Sequence, residues 1–159
     1  MPSPTGSASL KALTGRTGYL LYQSGLLLVQ AAEAALEEAE GAGLRYLLVL
    51  ELLGSRTDTS QRMVGELLDI DRTTIVDLVD KMEKNGHVKR SRNPHDRRRN
   101  DLNLTDSGHS ALAAMACIVH DVESELLSVL SAENKTRLDE MLTAILERQS
   151  PDCTKPGMQ

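Results

Sequence analysis

The chain has 159 residues, with 18 basic and 23 acidic side chains, a formal charge of −5, and neither Phe nor Trp. That length suits one domain without room for a second, and the acidic balance argues against a protein that adheres to nucleic acid over its whole surface. Leu, Val, Ile, Ala and Met must fill the core, and two cysteines, Cys117 and Cys153, are too few for a disulfide framework and fit a reducing compartment.

Residues 1–9 are rich in Pro, Ser, Thr and Gly and lack the charged-then-apolar layout of a signal peptide, which predicts a disordered tail. The longest apolar runs are too short to span a bilayer, so a cytoplasmic protein is expected. From 10 to 40 the pattern is helical. Tyr19, Leu20, Leu21, Leu26, Leu27, Leu28, Val29 and Ala32 make it apolar around most of its circumference, and such a helix needs partners on more than one side. Glu33, Glu37, Glu38 and Glu40 make its end acidic, and Gly41 and Gly43 break it. Residues 44–53 read as a short buried helix, with Gly54 and Ser55 leading into a polar connector.

Two short helical patterns follow. Ser60 is placed to cap the first, where Val64, Leu67 and Leu68 return at helical spacing up to about Asp69. Asp71 is placed to cap the second, on which Ile75, Leu78, Val79 and Met82 form one apolar face, and Gly86 stands where a helix stops. Two helices joined by so short a turn predict a helix-turn-helix. Residues 87–91 and 100–104 then pair as two short strands around a turn carrying Asn93-Pro94 and three arginines that forbid burial. A helix-turn-helix followed by a basic hairpin is a winged helix.

Thr105 is placed to cap a helix from 106 to 130, with Asp106 in its first turn and Leu112, Met115, Ile118, Val119, Val122, Leu126 and Val129 along it. Ser131 caps a last helix whose Leu138, Met141, Leu142 and Ile145 form a stripe, and residues 151–159, with Pro151, Pro156 and Gly157, form a flexible tail. These terminal helices carry more apolar surface than one lobe can cover, which predicts a dimer interface built from both chain ends; the alternative is a monomeric bundle packed on the winged helix. The expected architecture is therefore mainly α: one domain over 10–150, with a winged-helix lobe at 44–105, a two-stranded β wing, and all-helical dimerisation segments at 10–40 and 106–149.

Charge suggests the partner. Lys81 to Arg99 holds eight basic residues and two acids, so that segment is +6 while the rest of the chain is −11. A basic patch on an acidic body is the electrostatic footprint of a protein that presents one face to double-stranded DNA; the plainer reading is a solvated hairpin. The run DRTTIVDLVDKMEKNGHVKRSRNPHDRRRNDLNLTDSG resembles the MarR (multiple antibiotic resistance regulator) family of winged-helix transcription factors. The resemblance rests on the Asp-Arg-Thr-Thr helix start, the Asp-x-Arg pattern at Asp96 and Arg98, and Leu104, Thr105 and Gly108. It implies a homodimer on a pseudo-palindromic operator, often released by a small ligand or an oxidant, and hence a transcriptional regulator that represses.

Two-fold symmetry would set the two second helices about one turn of DNA apart. Arg72, Thr73, Thr74, Val76, Asp77 and Lys81 are left to face solvent or bases, joined by Ser60 and Gln61 from the first helix. An exposed Val76 suits a thymine methyl, Arg72 a guanine or phosphate, and Thr73 and Thr74 either phosphates or base edges, although Thr74 equally suits capping. Asp77 and Asp80 depart from the resemblance, since carboxylates are repelled by phosphate. Asp69, where the family often has Gly, tolerates a left-handed turn. In the wing the Asp-x-Arg pattern implies that Asp96 holds Arg98 toward the minor groove while Lys89, Arg92, Arg97 and Arg99 contact the backbone; a simple surface ion pair is the alternative.

No phosphate loop, nucleophile motif or carboxylate pair points to an enzyme, and no cofactor is expected. Cys117, His120 and Asp121 share a helix face with His109 two turns upstream, the spacing of a zinc site, but free Cys is more often a small core residue. Neither cysteine has the basic neighbours of a redox switch. By resemblance a small aromatic or acidic effector would lie near Arg16, Tyr19, Tyr22, Arg45 and Tyr46, although all three tyrosines read equally as core. The rival from another class is a winged helix that binds an acidic protein partner.

Overall fold

Among the residues that the computed structural model describes, 15–57, 59–93 and 100–148, the order is α1 (Thr17–Glu40), α2 (Leu44–Ser55), β1 (Thr59–Ser60), α3 (Gln61–Leu67), α4 (Arg72–Lys84), β2 (Val88–Arg92), β3 (Asn100–Leu104), α5 (Asp106–Leu126) and α6 (Ala132–Glu147). Both expected tails and the wing tip at 94–99 lie outside the described residues. The chain forms two compact units, one ending at Glu123 and one beginning at Ser124.

Local capping chemistry sets most boundaries. The Ser60 hydroxyl accepts the Met63 N–H at 3.3 Å to start α3, and Asp71 starts α4 by accepting the N–H groups of Thr73 and Thr74. Between them Asp69 takes the left-handed turn at φ 50, as its short polar side chain allows. At the far end of α4, Gly86 at φ 74 lets its own N–H reach the Glu83 carbonyl and the His87 N–H reach that of Met82. Those paired bonds form a Schellman termination, which satisfies carbonyls that the helix itself leaves orphaned.

Four expectations are corrected. Of the helix expected over 10–40, residues 10–14 lie outside the described residues, and α1 begins at Thr17 and not before, because Arg16 is extended and offers no side-chain cap. Leu67, expected on the inner face of α3, is exposed, since a helix this short buries only Val64 and Gly65, with Leu68 half-buried just beyond its end. The sheet has three strands in the order β1-β3-β2, with Thr59 opposite Leu102 and Ser60 opposite Asp101; two residues are too few to leave a periodic signal. The helix expected to reach Leu130 ends at Leu126, where the Ser128 and Leu130 N–H groups turn to the carbonyls of Glu125 and Leu127 in tighter three-residue steps. Val129 is consequently exposed.

In the first unit the core lies where α2, α4, β2, β3 and the start of α5 meet. Tyr46, Leu47, Val49, Leu50, Val64, Ile75, Val79, Met82, Val88, Leu102 and Met115 are buried there. Leu36 and Ala32 are the positions of α1 that are buried; Leu20, Leu21, Tyr22, Leu26, Leu27 and Val29 are exposed. In the second unit α6 is capped by Ser131, which accepts the Asn134 N–H at 3.3 Å, and buries none of its residues. Met141 and Ile145 of its stripe are exposed, while Leu138 and Leu142 are half-buried.

The start of α5 is fixed to the end of α4. The Thr105 hydroxyl donates to the Gly86 carbonyl at 2.6 Å and accepts the Gly108 N–H at 3.0 Å, and the Thr105 N–H donates to the His87 carbonyl at 3.1 Å. A Cβ on Gly108 would stand 2.0 Å from that carbonyl oxygen, so only glycine fits. Replacing Gly108 by Ala should therefore lower stability by about 1–3 kcal/mol or more through overpacking. Urea unfolding is the check, and a variant with the parental midpoint would contradict this packing.

Candidate nucleic-acid interface

Helix α4 has two unlike faces. Ile75, Val79 and Met82 are buried and Leu78 is half-buried, whereas Arg72, Thr73, Val76 and Asp77 are exposed, Val76 at 36 %. Its first turn is held by Asp71, whose Oδ1 accepts both backbone N–H groups at 3.0 Å and whose Oδ2 accepts the Thr74 hydroxyl at 2.5 Å. The Thr74 hydroxyl bond first, then the backbone N–H bonds, hold the Asp71 carboxyl below its usual range. Thr74 thus serves the cap with its one hydroxyl proton, the alternative that its position left open.

Two basic residues of the Lys81–Arg99 run, one of them Lys81, expected on the outer face, are committed within the protein. Lys81 donates from Nζ to the Gly41 carbonyl at 2.8 Å, which fastens α4 to the end of α1. Gly41 terminates α1 in a left-handed turn, and its carbonyl lies among those a helix end leaves unpaired, a natural site for a cation. Arg90, counted in sequence only as part of a basic run, joins three elements. Its Nη1 pairs with Glu83, its Nη2 donates to Asp80 Oδ1 at 2.6 Å and Gln61 Oε1 at 3.1 Å, and its backbone N–H donates to Glu83 Oε1 at 2.9 Å. Partial burial acts to lower the guanidinium pKa, but Asp80 and Glu83 outweigh it and raise it above its ordinary value. Asp80 is therefore an internal counter-ion of the wing strand. The alternation along β2 carried this signal, because Arg90 shares the inward face with buried Val88 while Lys89 lies on the other.

The wing root is polar and ordered. Asn93 donates from Nδ2 to Asp101 Oδ2 at 2.5 Å, both residues being buried, and Asn103 donates to the Ser91 hydroxyl at 2.7 Å. Lys89 and Arg92 are exposed on β2. Asp96, Arg97, Arg98 and Arg99 lie outside the described residues. Ser60, Gln61, Arg72 and Val76 do come together, lining one open groove between α3, the start of α4 and the sheet, with Arg90 and Asn100 on its far side.

The effector candidates separate. Tyr46 is 2 % exposed and bonded to His87 and Asn85, Tyr22 is 64 % exposed, Tyr19 is half-buried, and Arg16 and Arg45 are exposed. The expectation that all three tyrosines belong to the core fails for Tyr22, because α1 buries only its Ala32 and Leu36 positions. Cys117, read as a small core residue, is exposed on α5. Among the described residues, Cys117, His120, Asp121 and His109 included, no group of three or more His, Cys, Asp or Glu is placed to hold a metal ion. No helix among those residues is long and apolar enough to cross a membrane.

A sequence model of the MarR family matches residues 41–99, the lobe that carries this groove. The HTH-type transcriptional regulator TtmR of Methylorubrum extorquens (strain PA1) is 28% identical over 120 residues, covering 76% of this chain and 61% of TtmR, so the chain spans less than two thirds of that relative. The transcriptional repressor MprA of Escherichia coli (strain K12) is 32% identical over 81 residues, 51% of this chain and 46% of MprA. Among solved structures, the repressor CouR bound to a 23-mer DNA duplex superposes with a TM-score of 0.74 at 27% identity, covering 92% of this chain and 99% of CouR. CouR from Rhodococcus jostii RHA1 bound to p-coumaroyl-CoA gives the same TM-score at 25% identity, covering 90% and 98%.

The Asp71 cap generates a pH prediction. Replacing Asp71 by Ala should fray the start of α4 and lower the thermal midpoint near neutrality. A carboxyl depressed in the folded state contributes fully above its unfolded pKa of about 3.9 and loses that contribution as pH falls through the lower folded value. Midpoints of parent and variant should therefore converge in acid; a gap that persisted at about pH 2 would show that Asp71 acts by something other than its ionised cap.

Proposed function

Because the chain belongs to the MarR family, we propose that it is a sequence-specific DNA-binding transcriptional regulator, acting as a homodimeric repressor on a palindromic operator. The observation that carries this reading is the outer face of α4. Val76 stands exposed there beside Arg72 and Thr73, on a helix whose opposite face is buried in the core and whose neighbour is the basic wing. An apolar β-branched side chain in such a place gains nothing from water and suits a thymine methyl in the major groove, with Arg72 directed to a guanine or a phosphate. Asp77, exposed on the same face, suits a cytosine amino group, the one base-edge donor pattern for which a carboxylate is the natural partner.

Dimerisation is supported separately by α1 and by α6. Helix α1 exposes Leu20, Leu21, Leu26, Leu27 and Val29, and α6 exposes Met141 and Ile145. Apolar faces of this extent on a helix call for a partner, and a second copy of the chain gives the operator its two-fold symmetry. In the wing, Asp96 would hold Arg98 for the minor groove, with Lys89, Arg92, Arg97 and Arg99 on phosphates. Work on duplex DNA implies a cytoplasmic site of action. Release by a small aromatic or acidic effector belongs to the same reading, by likeness to the p-coumaroyl-CoA complex of CouR; Arg16, Tyr19, Tyr22 and Arg45 would receive it, whereas Tyr46 is already committed.

Selection of bound sites from random duplexes tests the proposal. An enriched palindrome with half-sites one helical turn apart is the expected result, and enrichment of no sequence would overturn it. On the selected site, Arg98→Ala should weaken binding by about 1–3 kcal/mol, the scale of one lost groove contact. Affinity should also fall steeply as salt rises, since phosphate contacts release counterions. Superimposable titrations of Arg98→Ala and parent at equal salt would remove the minor-groove role, and binding indifferent to salt would remove the basic wing as the contact surface.

A further inference from the structure

Arg90 lines the groove on the far side from Arg72 and Val76, yet its hydrogen bonds run into the lobe. Asp80 and Glu83 stand one helical turn apart on α4 and hold it from that side: Nη1 pairs with Glu83, and Nη2 donates to Asp80 Oδ1 at 2.6 Å. Glu83 also accepts the Arg90 backbone N–H at 2.9 Å, which fixes the strand beneath the guanidinium. The second Nη2 proton goes to Oε1 of Gln61, the first residue of α3, at 3.1 Å. With one cation against two carboxylates, the cluster has no positive charge left to offer a phosphate.

The contact with Gln61 decides which way that carboxamide points. A guanidinium carries only donors, so the atom that meets it is the amide oxygen, and the amide nitrogen is turned away. That nitrogen has no hydrogen-bond partner among the described residues, and no buried side-chain nitrogen or oxygen among them lacks one, so its two N–H groups reach the surface. Gln61 lines the groove next to Ser60. In a helix-turn-helix whose second helix enters the major groove, the first helix crosses the sugar-phosphate backbone. An amide N–H placed there suits a phosphate oxygen.

We propose that Arg90 is a positioning residue for DNA: anchored by Asp80 and Glu83, it turns the Gln61 amide so that its N–H groups donate to a backbone phosphate at the rim of the groove. Arg90 itself touches no DNA. A charged residue thus acts through a neutral one, and the two acids of α4 serve binding by keeping Arg90 from swinging out to the phosphate. The inference rests on the regulator reading and deepens it, giving Arg90 a role that reading leaves open.

Binding of the full chain to the selected palindromic duplex, at one salt concentration, tests it with Gln61→Met, Arg90→Lys and the double variant. Gln61→Met loses the amide donors and should weaken binding about tenfold, the scale of one hydrogen bond to a charged group. Arg90→Lys keeps the charge, but a single ammonium lacks the planar fork that reaches both acids and the amide together. It should weaken binding in the parent background and clearly less where Gln61 is already Met. A residue that merely holds the wing in place lowers affinity equally in both backgrounds, so additive losses overturn the proposal, as does a Gln61→Met chain that binds like the parent. Should Arg90→Lys not fold, Gln61→Glu decides, since it preserves an oxygen for Arg90 and removes both donors. Its urea midpoint should match or exceed the parent's while its affinity falls below that of Gln61→Met; a lower midpoint, or an affinity equal to the parent's, refutes the positioning role. A parent that binds no duplex ends the regulator reading and this inference with it, whereas a parent that binds beside unaffected variants ends this inference alone.

Discussion

The carbonyl of His87 is the point on which the arrangement of helix and wing depends. It accepts the Thr105 N–H at 3.1 Å, and it occupies the space that a side chain on Gly108 would otherwise take. One residue earlier, Gly86 makes the left-handed turn that ends α4; one residue later, Val88 begins β2 opposite Leu104. The end of α4, the start of the wing and the start of α5 therefore share one set of backbone hydrogen bonds. Moving any of them strands polar groups away from water, at a cost of about 1–3 kcal/mol each. The angle between α4 and the wing is thus set by these bonds together with the tie from Arg90 to Asp80 and Glu83, and not by the charges the wing displays outward.

Those charged side chains divide by task. A count along the sequence assigns eight positive charges to Lys81–Arg99, but Lys81 is bound to the Gly41 carbonyl and Arg90 to Asp80 and Glu83. Arg90 carries two acids with it, so the triad contributes no positive field outward. Lys84, Lys89 and Arg92 are exposed in the described part of the segment, as is Lys81, whose ammonium is held by the Gly41 carbonyl. The acids of α4 that looked out of place beside DNA divide in the same way: both are exposed, but Asp80 is paired with Arg90 while Asp77 stands on the outer face.

Features decided within a few residues are legible in the amino-acid sequence itself. The caps at Ser60, Asp71, Thr105 and Ser131, the stop at Gly86, the turn at Asp69 and the inner face of α4 all follow from side-chain chemistry three or four residues apart. What is hidden depends on contacts between distant segments. Lys81 meets Gly41 across 40 residues and Tyr46 meets His87 across 41, and neither pairing leaves a periodic trace. Strand β1 is two residues long and exists because β3 offers it an edge. The three tyrosines look alike in sequence because composition says nothing of which helix is enclosed; α2 is buried at Tyr46, Leu47, Val49, Leu50 and Leu53, whereas α1 keeps its tyrosine at position 22 in water. The groove is legible in its helix residues, while Arg90, the residue that braces it, reads in sequence only as charge.

The C-terminal end of helix α4 is held by two unlike contacts. Toward the wing it ends in part-buried bonds around the Gly86 and His87 carbonyls, while toward α1 it is tied by the exposed hydrogen bond from Lys81 to Gly41. The neighbouring junction of α1 and α2 rests on a similar contact, with the Glu33 carboxylate accepting the Leu44 N–H at 2.7 Å in an exposed position. Exposed charge-assisted contacts of this kind are each worth about 1 kcal/mol or less and weaken in salt, whereas opening the corner at His87 breaks several part-buried hydrogen bonds together. A ligand or partner that shifted the end of α1 would break the weaker tie first and leave the wing seated on α4. On the homodimer reading, this makes the spacing between the two recognition surfaces the adjustable quantity, since spacing is set through α1, while the shape of each surface stays fixed. On that same reading, release from an operator would require only that two intact winged helices cease to match neighbouring turns of the duplex, and about 5 kcal/mol or less of differential binding along α1 would be enough to shift that balance.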